Sequence, residues 1–237
     1  ILAEAELIFW VSEDLETFLI KPLKGLAKKA TIIELMETPG VTPAMSKSED
    51  EVQGKDNHEK HDKHDSHHHG DGDPHIWLST ANAKAIVRAA TKTLAKLDPK
   101  NASRYEANAQ KLEMRLTVLH KNLAQNLKPI QKTPYIVFHD AYGAFENEFS
   151  LKMVGAVTIS PDRKPGIRKL KHLRHEIAEH KTPCVFAEPQ FSPSLIKTLI
   201  SGSQAKMGVL DPIGANLHPG PNAYFELMHE IANALTN

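Results

Sequence analysis

The chain has 237 residues, and 29 Lys+Arg stand against 29 Asp+Glu, so its formal charge is zero with the 14 histidines neutral. That balance argues against a nucleic-acid partner, because gripping a phosphate backbone needs a cationic excess. No stretch approaches the roughly 18 consecutive apolar residues of a membrane-spanning helix, and the length suits two modest lobes better than one large core.

Taken in order, "ILAEAELIFWV" at 1–11 reads as the end of a helix running into a buried strand. There is no start methionine and no basic segment leading into a signal-like apolar run. A compact domain rarely begins in mid-unit, so further residues are expected ahead of Ile1. Strands are predicted over 7–11 and 31–35, with a helix over 14–30 between them and Ser12 or Asp14 as its cap. From Met45 to Pro74 the chain carries acids, lysines, glycines and histidines with almost nothing apolar. Too little burial is on offer to offset the entropy of ordering, which predicts a mobile loop.

After the loop, "LSTANAKAIVRAATKTLAKL" has helical apolar spacing, with Ser79 or Thr80 as cap. Asp98-Pro99 stops this helix and starts another. The second runs to Leu127 without an internal Gly or Pro, roughly 40 Å at helical rise, long enough to act as a spine between lobes. Further strands are predicted over 135–139, 153–159, 184–188 and 206–211, and helices near 141–149, 166–180, 193–202 and 221–235. Pro165, Pro193 and Pro221 stand at helix starts. Alternating strands and helices mean parallel sheets covered by helices. The expected fold is α/β: two lobes of parallel sheet flanked by helices and joined by one long rigid helix, the N-terminal lobe incomplete at its start. The expected divisions are 1–98 with its His-rich loop at 46–74, the interlobe helix at 99–128, and the C-terminal lobe at 129–237.

In open parallel sheets, ligands gather beyond the carboxyl ends of the strands. His139 ends "YIVFH", Asp211 ends "KMGVLD", and His75 follows the loop just ahead of the first long helix. Imidazole and carboxylate together suit Zn²⁺, and also Mn²⁺ or Fe²⁺. A single histidine at a strand end is otherwise a hydrogen-bonded structural residue. Asp140 reads as the N-cap of the following helix, or as an acceptor orienting an imidazole. Glu188 reads as the partner of a buried Lys or Arg, or as a ligand. His172, His175 and His180 belong to a solvated helix face, and His218 and His229 have no partner at ligand spacing. Cys184, the one cysteine, is an inert core thiol or half of a disulfide whose partner lies elsewhere.

The run "HEKHDKHDSHHHGDGDPHIWLS" at 58–79 is a different kind of metal binder. His58, His61, His64, His67, His68 and His69, interleaved with Asp62, Asp65 and Asp71, can chelate borderline cations in several geometries. Without preorganisation, such a loop binds more weakly and less selectively than a rigid pocket. It suits gathering metal rather than holding it. No Gly-rich phosphate loop, G-x-S-x-G or H-E-x-x-H occurs, and no glutamate stands as base beside an open metal position, so no enzyme is expected.

The ordered set "ELIFWVSEDLETFLIKPL", His/Asp-rich loop, "DPHIWLS", "VFHDAYGAFENEFSL", "CVFAEPQFSPSLIKTLI" and "GVLDPIG" resembles the zinc-binding solute-binding proteins of bacterial ABC importers, the ZnuA type with a rigid interlobe helix. The resemblance covers essentially the whole chain. It implies periplasmic capture of Zn²⁺ as transported ligand, delivery to an ABC permease of the inner membrane, a monomer, and no catalysis. It marks His75 and His139 as direct zinc ligands. Asp211 falls where manganese-binding relatives place a carboxylate ligand, and in zinc members that position is one step removed or replaced by water. A histidine at 139 favours zinc, where manganese relatives often carry glutamate. The family's first metal-binding histidine lies in a loop ahead of residue 1, and its second disulfide cysteine lies beyond Asn237. Competing readings are manganese or iron selectivity within the same transporter group, and a non-selective His-rich storage or adhesin-like surface protein.

Overall fold

The computed structural model describes residues 1–45, 72–158 and 165–237. The six loop histidines at 58–69 therefore lie outside the described residues, as do 159–164.

The first parallel pair is β1 (Leu7–Trp10) beside β2 (Thr31–Glu34), with Leu7 opposite Thr31 and Trp10 opposite Glu34. The helix joining them is shorter than the sequence suggests. A 3-10 turn at Thr17–Leu19 leads into α1 (Ile20–Leu26), whose N-cap is Leu19 with no side-chain cap. Pro22 explains the correction. A helix begun at residue 14 would place that proline in its interior, losing a ladder bond and clashing with the preceding turn. Begun at Ile20, the proline falls in the first turn, where its missing N–H costs nothing. Ser12, one of the two expected caps, instead helps build a turn: its Oγ accepts from the Leu15 N–H at 3.3 Å, and the Glu16 carboxylate accepts from the Val11 N–H at 2.5 Å. Trp10, Leu23 and Ala27 form the small buried core of this region.

A two-residue antiparallel bridge then joins β3 (Ala44–Met45) to β4 (Gly72–Asp73), bringing together the two ends of the His-rich segment. A 3-10 turn at Ile76–Leu78 follows, and α2 (Thr80–Leu97) starts on Ser79, whose hydroxyl accepts from the Asn82 N–H at 3.1 Å. Pro99 opens the 3-10 turn between α2 and α3 (Ala102–Leu127), which is 26 residues and about 40 Å long. The first half of α3 runs beside α2, clasped by a forked Arg88–Glu113 pair at 2.7 and 3.1 Å. Its second half buries Leu116, Leu119, Leu123 and Leu127, one helical stripe turned toward the larger sheet.

That sheet contains β5 (Pro134–His139), β6 (Lys152–Thr158), β7 (Cys184–Ala187) and β8 (Lys206–Val209), all parallel, in the order β6-β5-β7-β8. The helices between and after them are α4 (Gly143–Phe149), α5 (Ile167–Glu179), α6 (Ser194–Ile200) and α7 (Ala223–Thr236). Strand alternation sorts the packing. Tyr135 and Val137 face the cluster built by α3, α4 and α7, while Ile136 and Phe138 face Leu173, Ile177, Ile196 and Leu199 of α5 and α6. The chain leaves β5 toward one edge and returns past it to β7. The crevice beyond the carboxyl ends of β5 and β7 is thus the switch point where connections diverge.

Candidate metal centre

Two imidazoles meet at that switch point. His139 is the last residue of β5 and is 5% exposed; His75 enters from the turn after β4. Their Nε2 atoms stand 3.4 Å apart, with ring centroids 5.2 Å apart and the rings inclined at 63°. Two nitrogens each about 2.0–2.1 Å from one tetrahedral Zn²⁺ are about 3.4 Å from one another. The spacing therefore matches two ligands of a shared ion. It is also close to an N–H···N contact, so the other ring nitrogens decide the chemistry.

Both Nδ1 atoms are engaged by carboxylates. His139 Nδ1 lies 2.5 Å from Glu188 Oε1, and His75 Nδ1 lies 2.6 Å from Asp73 Oδ1. At these distances each Nδ1–H donates to its carboxylate, so a neutral ring presents its Nε2 lone pair to the gap. A carboxylate behind each imidazole fixes ring tautomer and orientation, as it does behind histidines that ligate metals. With neutral rings, two carboxylates put a double negative charge behind the pair, which complements a dication.

Each support has a local cause. Asp73 Oδ1 also accepts from the His75 backbone N–H at 3.0 Å, so one carboxylate fixes both the turn through Pro74 and the ring. Trp77 lies against the His75 ring at a centroid distance of 5.1 Å, and its indole N–H donates to the Pro212 carbonyl at 2.8 Å. The other Asp73 oxygen, Oδ2, is buried with no hydrogen-bond partner among the described residues. Gly143 opens α4 directly beside it, where an added Cβ would lie 3.2 Å from Oδ2 and 2.9 Å from the Ala44 Cβ. Tyr142 is also buried, its hydroxyl unpartnered among the described residues. Burial drives its ionisation well above the usual tyrosine value, and the carboxylates of Glu188, Asp211 and Glu146 add to this, so it stays an O–H donor.

The other sequence candidates fall elsewhere. Asp211 lies two residues past β8 and clasps a turn: its Oδ1 accepts from Gln190 Nε2, Ile213 N and Gly214 N, and its Oδ2 from Ala215 N at 2.7 Å. Among the described residues no set of three or more His, Cys, Asp and Glu side chains forms a finished coordination sphere, so neither Asp211 nor any other such group joins the imidazole pair. Asp140 does not cap α4; the N-cap is Tyr142, without a side-chain cap bond. Glu188 holds neither a Lys nor an Arg but the ring of His139, the orienting role that sequence reasoning offered to Asp140. Asp73 was missed altogether, although an Asp two residues ahead of a turn histidine is a readable signal. Cys184 lines an apolar concavity of about 780 Å³ at the opposite ends of β7 and β8, and burial pushes its thiol up, away from a metal-binding thiolate.

Comparison with known proteins identifies the family of the chain. The profile of the family described as ZnuA, zinc-uptake complex component A, periplasmic, matches residues 1–237. The chain is 38% identical over 239 residues to the high-affinity zinc uptake system protein ZnuA of Yersinia pestis, covering 98% of this chain and 75% of that protein. It is 38% identical over 253 residues to the protein of the same name from Brucella abortus (strain 2308), covering 98% and 76%. A solved structure titled "Crystal structure of ZnuA" superposes with a TM-score of 0.76 at 29% identity, covering 98% of this chain and 81% of that one. With its whole length matched and its α/β architecture shared, the chain belongs to the ZnuA family of periplasmic zinc-uptake components.

Proposed function

We propose that this chain captures Zn²⁺ outside the cytoplasm, with His75 and His139 as imidazole ligands, and hands the ion to an ABC-type permease. The observation that carries this reading is the 3.4 Å approach of two Nε2 atoms whose Nδ1 partners are buried carboxylates. Nitrogen donors held in one tautomer favour a borderline cation such as Zn²⁺ over oxygen-seeking Mn²⁺. The names of the relatives, high-affinity zinc uptake system proteins, support the same cargo. Completing four-coordination takes donors beyond the pair. Asp211 remains a candidate for one of them, on condition that its turn opens, since backbone N–H groups already hold it.

In this reading residues 1–98 and 129–237 are lobes joined by the helix at 99–128, and the crevice between β5 and β7 opens toward the first lobe. The chain acts as a periplasmic monomer that binds and releases without turnover. His58, His61, His64, His67, His68 and His69 collect ions for the imidazole pair, and the β3–β4 bridge sets Met45 opposite Gly72, the residues that flank that segment.

Competitive titration of the full chain with Zn²⁺ and Mn²⁺ against a chelator of known affinity tests the proposal. One tight zinc site that outcompetes manganese, and that disappears in His139→Ala while weaker zinc binding persists, is the expected result. A tight site untouched by His139→Ala, or one that prefers manganese, overturns it.

A further inference from the structure

Glu148, near the end of α4, gathers three donors from two other helices. Its Oε2 accepts from the backbone N–H of Thr80 at 2.8 Å, and its Oε1 accepts from the Thr80 hydroxyl. His120 Nδ1, on α3, lies 2.8 Å from the same Oε1 and donates to it as well. Thr80 is the first residue of α2, where the backbone N–H has no partner within the helix and the helix dipole favours a negative charge. Thr80 is 1% exposed and the Glu148 side chain 10% exposed, so both oxygens of the carboxylate are engaged where little water competes for them. Losing the carboxylate leaves a buried N–H without its acceptor.

The clasp closes on the segment that carries His75, five residues before Thr80. Two further bonds hold that segment to elements around the larger sheet. The Trp77 indole N–H donates to the Pro212 carbonyl at 2.8 Å, and the Tyr224 hydroxyl, on α7, donates to the Ser79 carbonyl at 3.3 Å. Between them Leu78 is fully buried in the core that also holds Leu116 of α3 and Phe145 of α4. At the other end of the segment, Asp73 lies against Gly143, the residue that opens α4. Helix α4 therefore meets the segment twice, at Asp73 through its start and at Thr80 through Glu148. The strand that feeds α4 ends on His139. One short helix is thus the strut between the two imidazoles.

Resting on the reading of His75 and His139 as zinc ligands, we propose that Glu148 is a positioning residue for the metal centre. By clasping the start of α2 to α4 and α3, it holds the His75 turn at ligand spacing from His139 before zinc arrives. A pair preset at 3.4 Å binds without the cost of ordering the turn at that moment. Glu148 acts through geometry alone, so its loss alters the ligand field of the bound ion and not only the stability of the fold.

Chelator-competition titration with Zn²⁺, together with the visible ligand-field spectrum after loading with Co²⁺, tests this on the full metal-free chain. Glu148→Ala lowers zinc affinity by about tenfold and shifts the cobalt bands, because the two nitrogens no longer meet the ion at the parent spacing. Glu148→Gln, whose amide oxygen still accepts from the Thr80 N–H, restores affinity to within about threefold of the parent. Ser79→Ala removes a different hydrogen bond from the same helix end and keeps the parent cobalt spectrum. Should Glu148→Ala fail to fold, Thr80→Val decides: it keeps the side-chain shape, loses the hydroxyl donor, shifts the cobalt bands and weakens zinc by about threefold. Unchanged affinity and spectrum in the deciding variant, or the same spectral shift in Ser79→Ala, overturns the proposal and reduces Glu148 to a helix cap. His139→Ala in the same titration separates the two levels of the argument. A tight site that survives it refutes the ligand assignment, whereas a site lost there but untouched in Glu148→Ala refutes only the role of Glu148.

Discussion

His75 and His139 are 64 positions apart in the chain, yet their Nε2 atoms face each other at 3.4 Å. Each ring is clamped from behind by a carboxylate from a different element, Asp73 at the end of β4 and Glu188 just past β7. Four residues from three strand ends thus make one unit whose two Nε2 atoms face a common gap. Its parts have separable roles, which the following variants address.

Replacing Glu188 by Gln keeps an acceptor near His139 Nδ1 but removes the charge. Loss of such an outer partner typically weakens a metal site by about 10–100-fold. Zinc affinity measured by chelator competition should fall in that range, with manganese discrimination also reduced and the thermal unfolding of the metal-free chain little changed.

Truncating His139 to Ala removes one of the two proposed zinc ligands outright. Zinc sites worth about 10–16 kcal/mol share that energy among about four ligands, so affinity should fall by at least about two orders of magnitude. Counting bound zinc by elemental analysis after gel filtration should show the tight equivalent gone.

Gly143→Ala is a packing test. The new methyl would lie 2.9 Å from the Ala44 Cβ and 3.2 Å from Asp73 Oδ2, so α4 must move away from β3. Overpacking of this kind costs about 1–3 kcal/mol. Chemical denaturation should show that loss, and zinc affinity should fall with it because Asp73 positions His75.

Ser79→Ala removes the hydroxyl that accepts from the Asn82 N–H. The cost should be about 0.5–2 kcal/mol. Zinc affinity should change less than in Glu188→Gln, because Ser79 touches neither ring.

Asp98 gives a pH signature at the α2–α3 junction. Hydrogen bonds from Asn101 and then Tyr105 hold its carboxyl below the usual carboxylate range. Its folded value is depressed, so its contribution is present above the ordinary carboxylate value and is lost as pH falls through the lowered one. Asp98→Asn should therefore unfold at a lower temperature than the parent at pH 7. At a pH below both values the difference should shrink toward zero, measured on metal-free protein by calorimetry.

Much of this was readable in the sequence because it depends on local chemistry. The β/α alternation, the six main strands, the Ser79 cap and the break at Asp98-Pro99 follow from side-chain periodicity and from what serine and proline do to a helix end. The pattern also marked His75 and His139 as strand-end and turn imidazoles. Two local predictions failed for local reasons: Pro22 delays α1 to Ile20, and α4 starts at Gly143 beyond the reach of Asp140 as a cap. What only the tertiary structure decided is lateral order. Periodicity says that a segment is a strand, not which strand lies beside it. It is the β6-β5-β7-β8 order that sets β7 next to β5, puts Glu188 behind His139, and leaves Asp211 in its own turn past β8. The same long-range packing, not any motif, brings the ring of His75 to within 3.4 Å of His139.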